Sequence, residues 1–259
     1  MRGNPMRAGV ERGEVQIGTW VNMIRTPAIL PLLKAAGLDF ARVDMEHSGP
    51  SIETIADMAL LARAIDFPIV VRPPAANREW ITRLLDLGVW NLHCPQVENA
   101  EHAAEIVAAS RYAPMGLRGN GGLGPSTDFE TSGSVAERRA FANREVFVTV
   151  MFETAAAFDH LDEIAAMDGI DGLTLGPADL AQDLGVFGTP DQARVLDEKR
   201  DLILAAANKR GKTCAMLVSS AEQARQWREA GALLLAYGTD VDILHQGYSE
   251  AMAAIKGDS

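Results

Sequence analysis

Four short segments carry residue types from which an enzyme site could be built: Asp44-Met45-Glu46-His47, Arg72-Pro73-Pro74, Glu153, and Gly176-Pro177-Ala178-Asp179. Glu153 and Asp179 are candidate ligands of a divalent metal. Two carboxylates that leave several positions open suit Mg²⁺ or Mn²⁺, hard cations that keep waters and accept substrate oxygens. The alternative for both is a solvated or salt-bridged acid at a loop rim. Arg72 offers a planar fork able to bind a keto oxygen or stabilise an enolate; its alternative is a structural ion pair with Asp44 or Glu46. His47 is the only one of the five histidines in this set. An imidazole tunes near neutrality and moves a proton to or from a hydroxyl, which makes His47 the candidate general base. Gly176 to Asp179 reads as the opening of a short helix, whose free N–H groups attract a carboxylate or phosphate.

The lysines are Lys34, Lys199, Lys209, Lys212 and Lys256, and none falls at a strand end. An imine-forming aldolase needs a desolvated lysine beside its substrate. Carbon–carbon chemistry at this site would therefore draw on a metal as its electron sink.

These segments converge only if the intervening elements bring them to one place. Apolar runs predict strands at Val15–Trp20, Phe40–Met45, Phe67–Val71, within Val89–Val97, and at Val146–Phe152, Gly172–Gly176, Thr213–Val218 and Leu233–Tyr237. Helical spacing and cap residues predict helices at Thr26–Ala36, Ser51–Ile65, Asn77–Leu87, Asn99–Ser110, Ala155–Met167, Asp191–Arg210, Ala221–Ala230 and Val241–Ile255. Several are closed by glycine, as at Gly37, Gly88, Gly211 and Gly231. Eight strands each followed by a helix predict a (β/α)₈ TIM barrel. Continuous rather than alternating apolar runs are what strands buried on both faces require. The rival, a doubly wound sheet, often has a Gly-rich phosphate loop after its first strand, whereas this chain has Val21-Asn22-Met23 there. Barrel enzymes place their chemistry at the C-terminal strand ends, where the four segments fall.

The rhythm breaks at Tyr112–Val135, which holds six glycines, among them Gly121, Gly122 and Gly124. A loop this long reads as a lid or binding loop, or as a mobile surface excursion. No composition shift or repeat divides the chain, so residues 1–259 are expected to form one domain.

At 47% hydrophobic and 23% charged the chain is no disordered segment. A net charge of −11 argues against a nucleic-acid partner. No apolar run reaches the ~20 residues that a membrane span needs. The start Met1-Arg2-Gly3-Asn4-Pro5 lacks the apolar stretch of a signal peptide, and Cys94 and Cys214 have no metal-type spacing. A cytoplasmic location with reduced thiols is the expectation.

The residues and their order resemble the metal-dependent class II pyruvate aldolases of the HpcH/HpaI type, which act on 4-hydroxy-2-oxo acids and 2-keto-3-deoxy sugar acids. The resemblance runs from about Gly18 to Gly238 through Asp44-Met45-Glu46-His47, Val70-Val71-Arg72-Pro73, Leu84-Leu85-Asp86-Leu87-Gly88, Pro95-Gln96-Val97, Arg118-Gly119, Glu153 and Gly176-Pro177-Ala178-Asp179-Leu180. It implies that Glu153 and Asp179 hold Mg²⁺, Mn²⁺ or Co²⁺, and that the metal and Arg72 bind the keto oxygen of pyruvate or a hydroxypyruvate-like donor. The amides of Ala178 and Asp179, in the turn with Gly176 and Pro177, take its carboxylate. His47 moves the proton of the C4 hydroxyl, Asp86 pairs with that histidine, Glu46 hydrogen-bonds a water on the metal, and Leu217 lines the aldehyde side. The resemblance also implies a homo-oligomer, a hexamer assembled from dimers.

Position along the chain conflicts with one of these roles. Asp86 lies near the end of a helix and before the fourth strand, so it belongs to the bottom of its own barrel. Either the helix ends early, or Asp86 reaches a neighbouring subunit, or it is an ordinary acid at a helix terminus. The chain also departs from the family pattern. Met151 stands where a glutamine is usual, and Asn91-Leu92-His93-Cys94 is more polar than the family's apolar run. The loop Asn120-Gly121-Gly122-Leu123-Gly124 also differs. The expected activity is reversible aldol cleavage to pyruvate, or hydroxypyruvate, and an aldehyde. Oxaloacetate decarboxylation through the same enolate and a non-catalytic keto-acid-binding role are the alternatives.

Overall fold

A computed structural model describes residues 1–257 of the chain. Its eight strands are β1 (Gln16–Val21), β2 (Phe40–Asp44), β3 (Ile69–Arg72), β4 (Asn91–Cys94), β5 (Phe147–Phe152), β6 (Gly172–Leu175), β7 (Thr213–Val218) and β8 (Leu234–Thr239). They pair in parallel and in sequence order, and β8 returns to β1 to close the barrel. The (β/α)₈ expectation is met. Every residue of β2, β4, β5 and β6 is buried, because helices cover the outer face while side chains fill the interior.

The helices are α1 (Pro5–Glu11), α2 (Ile29–Ala35), α3 (Ile52–Ala64), α4 (Arg78–Asp86), α5 (Ala100–Ser110), α6 (Val135–Glu145), α7 (Ala155–Asp159), α8 (Leu161–Ala166), α9 (Pro177–Asp183), α10 (Gln192–Lys209), α11 (Ala221–Glu229) and α12 (Asp240–Lys256). Asn77 and Asn99 cap α4 and α5 as their residue type predicts, accepting from Trp80 N at 3.1 Å and His102 N at 2.9 Å. Past α4, Gly88 adopts a φ of +89°, a left-handed turn that a side chain would strain.

Three expectations are corrected. The helix read from Thr26 begins at Ile29 with Ala28 as its uncapped N-cap, and the Thr26 hydroxyl instead accepts from Ala28 N at 3.4 Å in the turn before it. The single helix read over Ala155–Met167 is two, α7 and α8, meeting at His160. The Gly-rich segment does not cover the strand ends of its own barrel. It follows a helix and precedes β5, so the chain direction puts it at the opposite end of the barrel, where it contains a short 3₁₀ turn at Pro125–Thr127 and leads into helix α6.

That opposite end is a closed floor. Met6 of α1 packs against Phe40, Val70, Phe147, Ala215 and Leu234 from five strands. Asn4 secures the plug, donating to Asn91 Oδ1 at 2.7 Å and to the Glu145 carbonyl at 2.8 Å. With the floor sealed, the strand C-termini form the open mouth.

Candidate active site

At the mouth, Asp44 ends β2 and Arg72 ends β3, and the two are direct register partners. Arg72 donates Nε and Nη2 to the two oxygens of Asp44, each at 2.8 Å. Its Nη1 lies 3.2 Å from Glu46 Oε2. Burial works against the Asp44 carboxylate, yet the Arg72 fork and the amides of Glu46 and His47 outweigh it and hold its pKa below the ordinary range. Arg72 therefore makes the ion pair with both acids, and that pairing fixes where its guanidinium stands in the wall of the mouth. His47 reaches outward with its Nε2 3.6 Å from Glu46 Oε2. Glu46 is pushed up by burial, against the pull of Arg72 and His47.

Across the mouth, Glu153 follows β5 and is 4% exposed. Its Oε1 accepts from the backbone N of Gln96. Burial pushes its carboxyl up to about 7; the Gln96 amide opposes this, and Glu46 and Asp179 add to it. A Cβ on Gly176 would lie 2.5 Å from Glu153 Oε2 and 2.8 Å from Met151 Sδ, so only glycine lets β6 pass this close. Gly176 is the N-cap of α9, with no side chain capping the turn, and Asp179 projects exposed from its first turn.

A cavity of about 330 Å³ gathers these groups. His47, Arg72, Glu153, Ala178, Asp179 and Leu217 all line it, with Gly176 and Pro177 in its wall. Among the described residues no cluster of three or more His, Cys, Asp and Glu side chains is arranged to hold a metal. A Mg²⁺-type site does not need one, since one or two carboxylates with waters and substrate oxygens complete its shell. A carboxyl raised by burial and further by neighbouring acids is in addition a group that a cation would relieve. The donor set fits a divalent metal.

Asp86 stands apart. It ends α4 at the floor side, 3.0 Å from Arg118 Nη2, and takes no part in lining the mouth. A Cβ on Gly121 would come within 2.7 Å of its Oδ2, so the Gly-rich loop packs directly on it. The structure does not bring Asp86 to His47 within one chain.

Several site residues escaped sequence reasoning. Gln96 takes a φ of +53° and bridges two acids, its amide to Glu153 and its Nε2 to Glu46 Oε1 at 3.1 Å. Only its place in Pro95-Gln96-Val97 marked it. Asp240, the first residue of α12 just past β8, clamps the loop after β1, accepting from the backbone N of Asn22, Met23 and Ile24 at 2.9, 3.0 and 2.8 Å. Trp20, Arg42 and His93 also line the cavity. Arg42 and Asp44 share a strand face at a spacing of two residues, which is the signal that could have found Arg42.

Residues 16–246 match the HpcH/HpaI aldolase/citrate lyase family. The chain belongs to that family. It is 34% identical to a hydroxypyruvate/pyruvate aldolase of Roseovarius nubinhibens over 98% of both chains. It is also 34% identical to a 2-keto-3-deoxy-L-rhamnonate aldolase of Klebsiella pneumoniae, over 99% of this chain and 94% of the relative. The solved HpcH/HpaI aldolase of Desulfitobacterium hafniense superposes with a TM-score of 0.91 at 30% identity, over 98% of this chain and 97% of that one. At the level of the family the reaction is aldol cleavage of 4-hydroxy-2-oxo and keto-deoxy acids to pyruvate and an aldehyde, so the chain is a carbon–carbon lyase. Family membership carries with it the metal dependence typical of class II aldolases. Among the described residues no helix is long and apolar enough to cross a membrane.

Proposed function

We propose that this lyase works in the mouth cavity, with Glu153 and Asp179 holding Mg²⁺, Mn²⁺ or Co²⁺. The observation that carries the reading is the convergence of both carboxylates with Arg72 and His47 on one cavity. The metal, when bound, supplies the electrophile that draws charge from the keto group of the donor. Arg72, oriented by Asp44 and Glu46, binds the keto oxygen and stabilises the enolate. The uncapped amides of Ala178 and Asp179 take the donor carboxylate. His47, exposed at the rim beside Glu46, moves the proton of the C4 hydroxyl, and Leu217 borders the aldehyde. The donor is pyruvate or hydroxypyruvate. Met151, packed on Gly176 where an amide side chain is usual in the family, leaves the donor end with a thioether that cannot donate a hydrogen bond.

We also propose that the chain works as a homo-oligomer, a hexamer, in which Asp86 serves the His47 of a neighbouring copy. Its supporting observation is the position of Asp86, half-buried at the outer floor side of α4.

The deciding experiment measures pyruvate release from a racemic 4-hydroxy-2-oxo acid before and after EDTA, then after addition of each metal. Metal-restored release with equimolar aldehyde is expected. Turnover that persists after complete chelation would overturn the metal assignment, and CO₂ release from oxaloacetate without any aldol cleavage would replace the aldolase reading by decarboxylation.

A further inference from the structure

Beneath the proposed catalytic groups, the lower wall of the mouth carries charge that nothing neutralises. Arg42 is 2% exposed and lines the cavity, yet among the described residues its guanidinium makes no hydrogen bond and no ion pair; its Nε is fully buried without a partner. It lies 5.0 Å from the centre of the Trp20 ring, and Arg72 lies 4.7 Å from the same ring. Only Arg72 has carboxylates. An aromatic face eases a cation but supplies no countercharge. His93 is 1% exposed and meets Trp20 edge-on at 5.6 Å, and neither of its ring nitrogens has a partner. The Nε1 of Trp20 is likewise buried and unpaired.

Buried charges are as a rule paired, and buried donors hydrogen-bonded. Three adjacent exceptions in residues that line one cavity point to a ligand that completes them. All three present donors: a guanidinium, an indole N–H, and an imidazole with one N–H in its neutral form. The complementary ligand is an acceptor with negative charge and a planar shape that matches the guanidinium fork. The interior of a barrel of this kind is ordinarily filled by branched apolar side chains, so Arg42 and His93 serve no packing need that a leucine would not meet.

We propose that Arg42, His93 and Trp20 form an anion-binding subsite in the floor of the mouth that takes a carboxylate. The carboxylate is either the second acid group of a 2-oxo diacid substrate or a separate small carboxylate. The first source rests on the keto-acid reading of the same cavity, and the second does not. Pairing lifts the isolation of Arg42, whose pKa is lowered to about 9 by burial and by Arg72.

The test is built on binding, so it stands whether or not the aldolase reading does. Acetate is titrated calorimetrically into the metal-loaded enzyme at constant ionic strength, with Arg42→Met and His93→Leu alongside. Saturable binding is expected, weakened at least tenfold by Arg42→Met and more modestly by His93→Leu. Crystals of the unaltered protein grown with sodium bromide are expected to show an anomalous peak against the Arg42 guanidinium, which keeps the proposal testable if Arg42→Met does not fold. The affinities of 2-oxoglutarate and 2-oxobutyrate separate the two sources. A diacid advantage lost in Arg42→Met makes the carboxylate the substrate's own, and equal affinities beside intact acetate binding make it a separate anion. Acetate isotherms identical in the unaltered protein and Arg42→Met, together with no bromide at Arg42, would overturn the subsite.

Discussion

The two ends of the barrel treat buried charge in opposite ways. At the floor, Asp171 accepts from Arg7 Nη2 at 2.7 Å and from Arg111 Nη2 at 2.6 Å, and Arg111 also donates to the carbonyls of Asn143, Val146 and Gly169. At the mouth, Arg42 and His93 have no partner, and Glu153 is a carboxyl pushed up to about 7. The same chain that surrounds Arg111 with acceptors leaves Arg42 bare. Floor charges are consumed in holding loops to the barrel, whereas at the mouth Arg72 is paired with Asp44 and Glu46 and Arg42 and His93 are left over. Clustered perturbed groups without countercharge in a cleft point to a working site, and guanidinium groups paired with a carboxylate point to a structural one, even where a single Nε such as that of Arg111 stays without a partner.

The widest separation between the two ends is expected from Glu153→Gln. The amide keeps the size of the side chain and removes its charge, so metal-dependent cleavage should fall by about three orders of magnitude, on the order of 4 kcal/mol of lost transition-state stabilisation. Circular dichroism and melting should show the fold retained. Full turnover by this variant with metal present would remove Glu153 from the site. The mirror experiment is Arg111→Met at the floor. It strips Asp171 of one of its two cations and takes the Arg111 donor from the carbonyls of Asn143 and Gly169, while Val146 keeps Arg7, which should cost roughly 3 kcal/mol of stability in urea melts. The KM of the folded enzyme should stay where it was. A changed KM with unchanged stability would erase the distinction between the ends.

A mixing experiment sharpens it further, because Asp86 lies at the floor side and His47 at the mouth. His47→Gln and Asp86→Asn are each expected to lose on the order of 100-fold in activity, the scale of a general-base contribution. If neighbouring copies share a site, unfolding the two variants together and refolding the mixture restores part of the activity through hybrid sites. Absence of any gain on mixing, with Asp86→Asn as active as the unaltered enzyme, would confine the site to one chain.

The sequence made the barrel legible because its periods are strong. Apolar runs such as Phe147–Phe152 and closing glycines such as Gly88 mark strands and helix ends by sterics alone. Weak periods were lost. In α6 only Ala142 and Glu145 are buried, so no apolar stripe marks it, and α1 has seven residues. The mouth residues Glu153, Asp179, Arg72 and His47 were legible because strand ends in a barrel converge by topology. Composition left the Gly-rich loop open as a lid, a binding loop or a surface excursion, and chain direction assigns a helix-to-strand loop to the floor of its own barrel. Arg42 was hidden by its neighbours, since a cation inside Phe40–Asp44 shows nothing of whether it is paired. Pairing is a property of three-dimensional neighbours and cannot be read from one strand.

The smallest expected effect tests the bareness of the mouth directly, through His93. Burial, then Arg42 and Arg72, drive its pKa well below the ordinary value of 6.5. The folded protein therefore keeps His93 neutral to a lower pH than the unfolded chain, which takes up a proton at this residue as the pH falls through 6.5. The unfolded state holds more protons, so stability falls as the pH drops below 6.5, with a limiting slope of about 1.4 kcal/mol per pH unit from this group. His93→Leu removes the titration, so its loss of stability between pH 6.5 and pH 5 should be shallower than that of the unaltered protein. Urea melts at the two pH values in a carboxylate-free buffer measure the difference. Equal slopes would mean that His93 takes up its proton in the folded state, which requires an acceptor or an anion beside it. The floor offers the control: Arg111→Met removes no group that titrates in this range, so its pH slope should match that of the unaltered protein.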